Sequence, residues 1–285
     1  MQALSDIKNG FYNLKRTYLG IVLSMVMAIA LFVVVLLLAA LPASVILLLV
    51  AGGDFFGQIL SLVLFWEPLL RGNVEIVISS GFLSVLLPIV LVYIWTFGAM
   101  YGVSKEIVDS NAVRVTSFIH WFRSHILGLL GTGVLLALIA IGPPLSIAAG
   151  LSMQGVTAIP FPADWVFGLL SFAWFFIVIC FSSMQVPALM DGLGVFAALR
   201  ESANLVRANL SRVFSVHLLY FLVLVLLFGP LPIYSVITNS FDAASDAVAA
   251  AILSWSAFGL FILGFALLPS LYITMTTIYR DLKLG

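Results

Sequence analysis

Apolar residues run through this chain in long, nearly unbroken stretches, and polar residues are confined to short intervals between them. About 20 helical residues are needed to cross a hydrocarbon core of about 30 Å. Six stretches reach that length: Tyr18–Leu41, Gly81–Tyr101, Ile126–Gly150, Trp165–Pro187, Val213–Ile237 and Ala247–Thr276. Their centres hold no Asp, Glu, Lys or Arg. Inside lipid each backbone amide must find its partner within its own segment, so such stretches predict helices. The pattern therefore predicts an all-α integral membrane protein, a six-helix bundle forming one transmembrane domain over residues 1–285.

A second pattern repeats. Ahead of three of the stretches lies an amphipathic segment that ends in basic residues, and the stretch that follows closes at proline. The copies are GFYNLKRTYLGIVLSMVM, reaching Pro42; SFIHWFRSHILGLLGTGVLLALIAIGPPL; and ESANLVRANLSRVFSVHLLYFLVLVLLFGPLP. This order predicts three helical hairpins, over about residues 1–101, 102–187 and 188–285, each led by an interfacial helix. In the first leader Leu4, Ile7, Phe11, Leu14 and Tyr18 recur at helical spacing, with Asp6, Lys8, Asn9 and Lys15 elsewhere. In the third, Val195, Leu199, Ser202, Val206 and Leu210 form the stripe opposite Arg200, Glu201, Asn204 and Arg207. In the second, Phe118, Ile119 and Phe122 are apolar and Trp121 suits an interface. An apolar stripe with a basic flank is the pattern of a helix lying among lipid headgroups.

Charge orients the chain. Of 12 Lys and Arg residues, all but Arg71 fall at the N-terminus, the second loop, the fourth loop or the C-terminus. Because basic residues resist translocation, this predicts a plasma-membrane protein with both termini cytoplasmic. The zero net charge then divides into about five excess positive charges inside and about five negative outside. Hydrophobic residues make up 63% of the chain and charged ones 8%, a balance that excludes a soluble fold. The first apolar run is longer than the roughly 7–15 residues of a signal-peptide core and is predicted as a span. Residues 43–77 are apolar but interrupted by Gly52, Gly53 and Asp54 and closed by Glu67-Pro68; an interfacial or re-entrant segment is expected there.

Chemistry is sparse. His120 and His125 lie five apart, about 140° round a helix, which is poor geometry for one metal. His217 stands one turn inside the fifth stretch. Cys180 has no partner of metal or disulfide spacing. No HExxH, GxSxG or phosphate-loop motif occurs, so no catalytic residue, metal or cofactor is assigned. Proton-coupled transport is disfavoured, because coupling normally needs ionisable groups within the spans. Pro88, Pro187 and Pro269 are expected to kink their helices.

The segment from Val186 to Pro232, with Asp191-Gly192, Ala198–Ser202, Arg207-Ala208-Asn209 and the closing TIYRDL of residues 277–282, resembles the membrane-domain family associated with some glycerophosphoryl diester phosphodiesterases. The resemblance covers about the last third of the chain. It implies a prokaryotic six-span membrane domain. In enzymes of that kind the phosphodiester chemistry belongs to a separate soluble domain, so no catalytic residue is carried over. The leading expectation is a non-enzymatic protein that organises anionic lipid or a protein partner, or a second copy of itself, at the cytoplasmic leaflet. Lys15, Arg16, Arg123, Arg207 and Arg212 are the expected headgroup or partner contacts; no nucleic-acid partner is expected. The alternative is a permease subunit of the ATP-binding-cassette exporter type, docking a separate ATPase through the helix at Val113–Arg123 or Val195–Arg207.

Overall fold

The computed structural model describes residues 2–51, 91–114, 116–154, 163–229 and 246–284, and these contain no strand. The helices are α1 (Gln2–Arg16), α2 (Tyr18–Ala51), α3 (Ala99–Ser110), α4 (Ser117–Met153), α5 (Ala163–Ser182), α6 (Gln185–Met190), α7 (Val195–Ala208), α8 (Leu210–Phe228), α9 (Asp246–Ile262) and α10 (Leu268–Leu284). A π-helical turn, Leu263–Leu267, joins α9 to α10. Among the described residues five helical segments are long and apolar enough to cross a membrane. Most of the predicted second span, with Pro88, lies outside the described residues, as do residues 52–77 of the expected re-entrant segment.

Three of these helices follow a leader, and each leader meets its long helix at a single residue. Thr17 is a turn between α1 and α2. His125 (φ −119°, ψ 15°) breaks α4 into a leader and a long arm. Asn209 (φ −129°, ψ 35°) separates α7 from α8. Two positions before each break stands a cation: Lys15, Arg123 and Arg207. Seven before it a residue is buried (Gly10, Phe118, Ser202), and so is the residue four after it (Ile21, Leu129, Val213). The cations also suit the last turns of α1 and α7, where unpaired carbonyls concentrate partial negative charge.

The leader faces differ in how closely they follow the sequence pattern. Helix α7 buries Ser202 and Val206 of the predicted stripe together with Ala198 beside it, while Leu210 at the end of the stripe is exposed. Helix α1 is rotated from it: Asp6, Gly10 and Leu14 are buried, while Leu4 and Phe11 are exposed. The reason is steric and electrostatic. Gly10 lets α1 approach α10 so closely that a Cβ would overlap the Thr274 hydroxyl and lie 3.1 Å from the Ser270 carbonyl oxygen. That approach carries Asp6 inward, onto Arg212.

The prolines act less abruptly than expected. Helix α2 continues past Pro42 to Ala51, and α4 runs through Pro143-Pro144 to Met153; neither stops at its proline. Proline at 143 leaves the Ile139 carbonyl without its i+4 donor. The Trp174 indole of α5 donates to that oxygen at 3.1 Å, and this repairs the helix from outside. Between α8 and α9, Trp255 donates to Leu227 O at 2.9 Å, one of the last carbonyls of α8, which have no donor within the helix. Pro269 follows the π-turn, a widened turn that accommodates a ring with no N–H to give Phe265. Pro187 falls in the first turn of α6, where the missing N–H costs little. The direction change there belongs to Ser183-Met184, and Ser202 stitches it: its hydroxyl donates to Phe181 O (2.6 Å) and accepts from Met184 N (3.1 Å). A serine thus belongs in the buried stripe of α7.

Tight packing concentrates at one end of the bundle. Ile107, Phe118, Met184, Ile273 and Ile278 are buried there around α10, while Leu37, Leu38, Leu169 and Leu226 along the long helices remain exposed. Exposure of such side chains costs nothing where the surrounding solvent is lipid, since tails are as apolar as leucine.

Candidate functional site

The tightly packed end is where the basic clusters meet. Asp191 caps α6 and is followed by Gly192 at φ +90°, a left-handed turn that only glycine adopts at no steric cost. This corner brings the carboxylate between two helices distant in sequence. Lys105 Nζ of α3 lies 2.5 Å from Asp191 Oδ1, and Lys283 Nζ of α10 lies 2.6 Å from Oδ2. The Tyr279 hydroxyl donates to Oδ2 at 3.3 Å, and Lys105 also donates to Met190 O at 3.2 Å. Partial burial opposes the charge on Asp191, but the hydrogen bonds and charges of Lys105 and Lys283 outweigh it and hold its pKa below the ordinary value.

A second clasp joins α1 to the start of α8. Arg212 Nε and Nη2 reach Asp6 Oδ2 and Oδ1 at 2.7 and 2.8 Å, and Nη2 reaches Asp281 Oδ2 at 2.9 Å. The arginine and Asp6 side chains are only 11% and 7% exposed, so this bidentate pair is the most enclosed charge pair among the described residues. Nearer solvent, Arg280 Nη1 pairs with Asp109 at 2.7 Å and donates to Val108 O at 2.8 Å. Glu106 ties α3 to the second leader, accepting from Ser117 Oγ and from Trp121 Nε1 (2.8 Å).

The predicted contact residues therefore divide. Lys15, Arg16, Arg123 and Arg207 are exposed and form no ion pair with another described residue. Lys8, Arg114 and Arg200 share that condition. Arg212 is the correction: it points into the bundle and serves Asp6 and Asp281 rather than an outward partner. Trp121 is likewise not free at an interface; it packs over Gly102 and hydrogen-bonds Glu106. His120 and His125 both contact the Trp121 ring, the first edge-on and the second stacked, with ring centroids 5.8 and 5.3 Å away. His217 is buried, its Nδ1 2.9 Å from Val213 O. Among the described residues no group of His, Cys, Asp and Glu is arranged to hold a metal.

Sequence reasoning missed the two clasps. The sequence pattern puts Asp6 off the apolar stripe of its leader and gives Asp191 no role, and neither has a local partner that would reveal one. The one available signal for Asp191 was its position before Gly192, the mark of a helix end that turns sharply. Comparison with protein-family models, with curated proteins and with solved structures returns no match.

Proposed function

We propose that this chain is a non-enzymatic, six-span membrane protein whose basic end, on the cytoplasmic side, binds anionic lipid headgroups. One observation carries the reading: an exposed, unpaired cation stands two residues before the break in each leader, at Lys15, Arg123 and Arg207. Exposed apolar side chains share those surfaces, Leu4 and Phe11 on α1, Ile119 beside Arg123, and Phe196 on α7. Cations beside exposed apolar groups suit the boundary between headgroups and acyl chains. Each cation near an anionic leaflet adds about 1 kcal/mol of attraction. The recurring break, cation and buried positions also support three hairpin repeats, and the charge rule supports cytoplasmic termini.

The experiment is reconstitution in nanodiscs of mixed phosphatidylcholine and phosphatidylglycerol. Lipid released from the purified discs is then quantified. The wild-type protein enriches phosphatidylglycerol over the bulk ratio, and the variant K15Q/R16Q/R123Q/R207Q loses that enrichment severalfold while still unfolding cooperatively. Equal enrichment in both removes the lipid reading. An ATPase that co-purifies in stoichiometric amount from mild detergent, and is lost in the same variant, replaces it with export.

A further inference from the structure

A cavity of about 320 Å³ opens at the basic end, between α3, α6 and α10, with Lys105, Arg280, Lys283, Asp109 and Asp191 in its walls. Its size is at the lower end of the range for small-molecule sites, roughly 300–1,000 Å³. None of its residues belongs to the exposed, unpaired cations at Lys15, Arg16, Arg123 and Arg207. Three cations face two carboxylates, so the walls carry one excess positive charge.

The hydrogen bonds are unbalanced in the same direction. Both Asp191 oxygens are occupied, by Lys105 on one side and by Lys283 and Tyr279 on the other. An ammonium has three N–H donors and a guanidinium five. Lys105 gives two donors to Asp191 and Met190 O, and Lys283 gives two to Asp191 and Tyr279. Arg280 uses Nη1 for Asp109 and Val108 O, and its Nε and Nη2 have no acceptor among the described residues. The three cationic groups around the cavity thus keep unused donors, beside a single carboxylate oxygen, Asp109 Oδ2, that has no donor among the described residues. The chemical complement is a compact anion with several acceptor oxygens. Pro187 and Met190 add an apolar wall that suits a short carbon body.

We propose that this cavity binds a phosphate monoester, its terminal oxygens bridging Lys105, Arg280 and Lys283. Asp191 holds the two lysines facing each other and competes with the ligand for them. The ester comes either from solution or from the headgroup of a phosphatidate, and the chemistry at the three cations is the same.

The test uses the full chain in neutral detergent, with thermal unfolding followed at constant ionic strength. Propyl phosphate is the soluble probe. Phosphatidate in phosphatidylcholine nanodiscs, against phosphatidylcholine alone, is the lipid probe. A saturable rise in the unfolding midpoint with propyl phosphate identifies a soluble ester, and a rise with phosphatidate alone identifies the headgroup. D191N, which removes the competing carboxylate, binds at least ten-fold tighter. K105Q/D191N loses the saturable rise, and because it differs from D191N only at position 105 the loss is assigned to the Lys105 ammonium. The proposal is overturned if neither probe shifts wild type or D191N. It is equally overturned if the shift survives in K105Q/D191N, because the anion then sits elsewhere, such as on Arg123 and Arg207. Failure of this site leaves the nanodisc enrichment experiment untouched, since that variant alters none of these residues.

Discussion

Arg212 and Asp6 stand 206 positions apart and meet through two hydrogen bonds, 2.7 and 2.8 Å long, in a setting nearly closed to solvent. The pair fixes α1 against the start of α8, and its third contact, to Asp281, adds the C-terminal helix. Removing one partner of an enclosed pair leaves an uncompensated charge, at a cost of about 3–5 kcal/mol. D6N and R212Q are each expected to lower the unfolding midpoint in detergent strongly. The double variant D6N/R212Q costs less than the sum of the two, which a double-mutant cycle measures.

Gly10 sets the distance at which that pair can form. A methyl group at this position meets Thr274 and Ser270 of α10, and overpacking of this kind costs about 1–3 kcal/mol. G10A is expected to destabilise the protein, and G10A/T274A to recover part of the loss by removing the Thr274 hydroxyl that the added methyl group would overlap. Thermal unfolding of wild type and the two variants checks the order.

Asp191 makes stability depend on pH in a defined direction. Its carboxyl is held below the ordinary value of about 3.9 by Lys105 and Lys283. A depressed folded pKa contributes stability that is fully present above the unfolded pKa and is lost as pH falls through the folded one. The difference in unfolding midpoint between wild type and D191N is therefore expected to be constant at neutral pH. It shrinks as pH drops below about 4. A difference that does not change down to pH 2 removes the ion-pair account.

Trp174 repairs the backbone gap that Pro143 opens. W174F strands the Ile139 carbonyl, at a cost of about 1–3 kcal/mol for an unsatisfied buried group. In the P143A background the alanine N–H serves Ile139 itself, so W174F is expected to cost distinctly less there. Equal cost in both backgrounds assigns the role of Trp174 to packing alone.

The leaders show how far local pattern reaches. In α7 the buried Ser202 and Val206 lie on the stripe that the sequence spacing predicts, and Ala198 beside them is buried too, because small and apolar residues there face the bundle whatever their partner is. In α1 the same reasoning selects Leu4 and Phe11 and rejects Asp6, and the structure reverses that choice. Periodicity ranks residues by water-to-oil preference, whereas a carboxylate with an arginine waiting, beside a glycine that permits close approach, is better placed inside. The prolines teach the same point. Pro42, Pro143 and Pro144 read as helix ends because proline lacks a donor, but a helix continues where lipid offers no alternative partner, and at Pro143 a neighbouring indole supplies the missing hydrogen.

By itself the sequence determined the helical character of the described chain, the segments long and apolar enough to span, and the gathering of its basic residues into four clusters. These follow from local physics, since apolar runs in lipid must close their own hydrogen bonds and charges stay out of them. Only the tertiary structure decided which charges are spent on one another and which are left over. Lys105, Arg212, Arg280 and Lys283 are occupied by carboxylates from other segments, while Lys15, Arg123 and Arg207 remain open. That division depends on distances between segments up to 206 residues apart, and a charge carries no mark of its partner until the chain has folded.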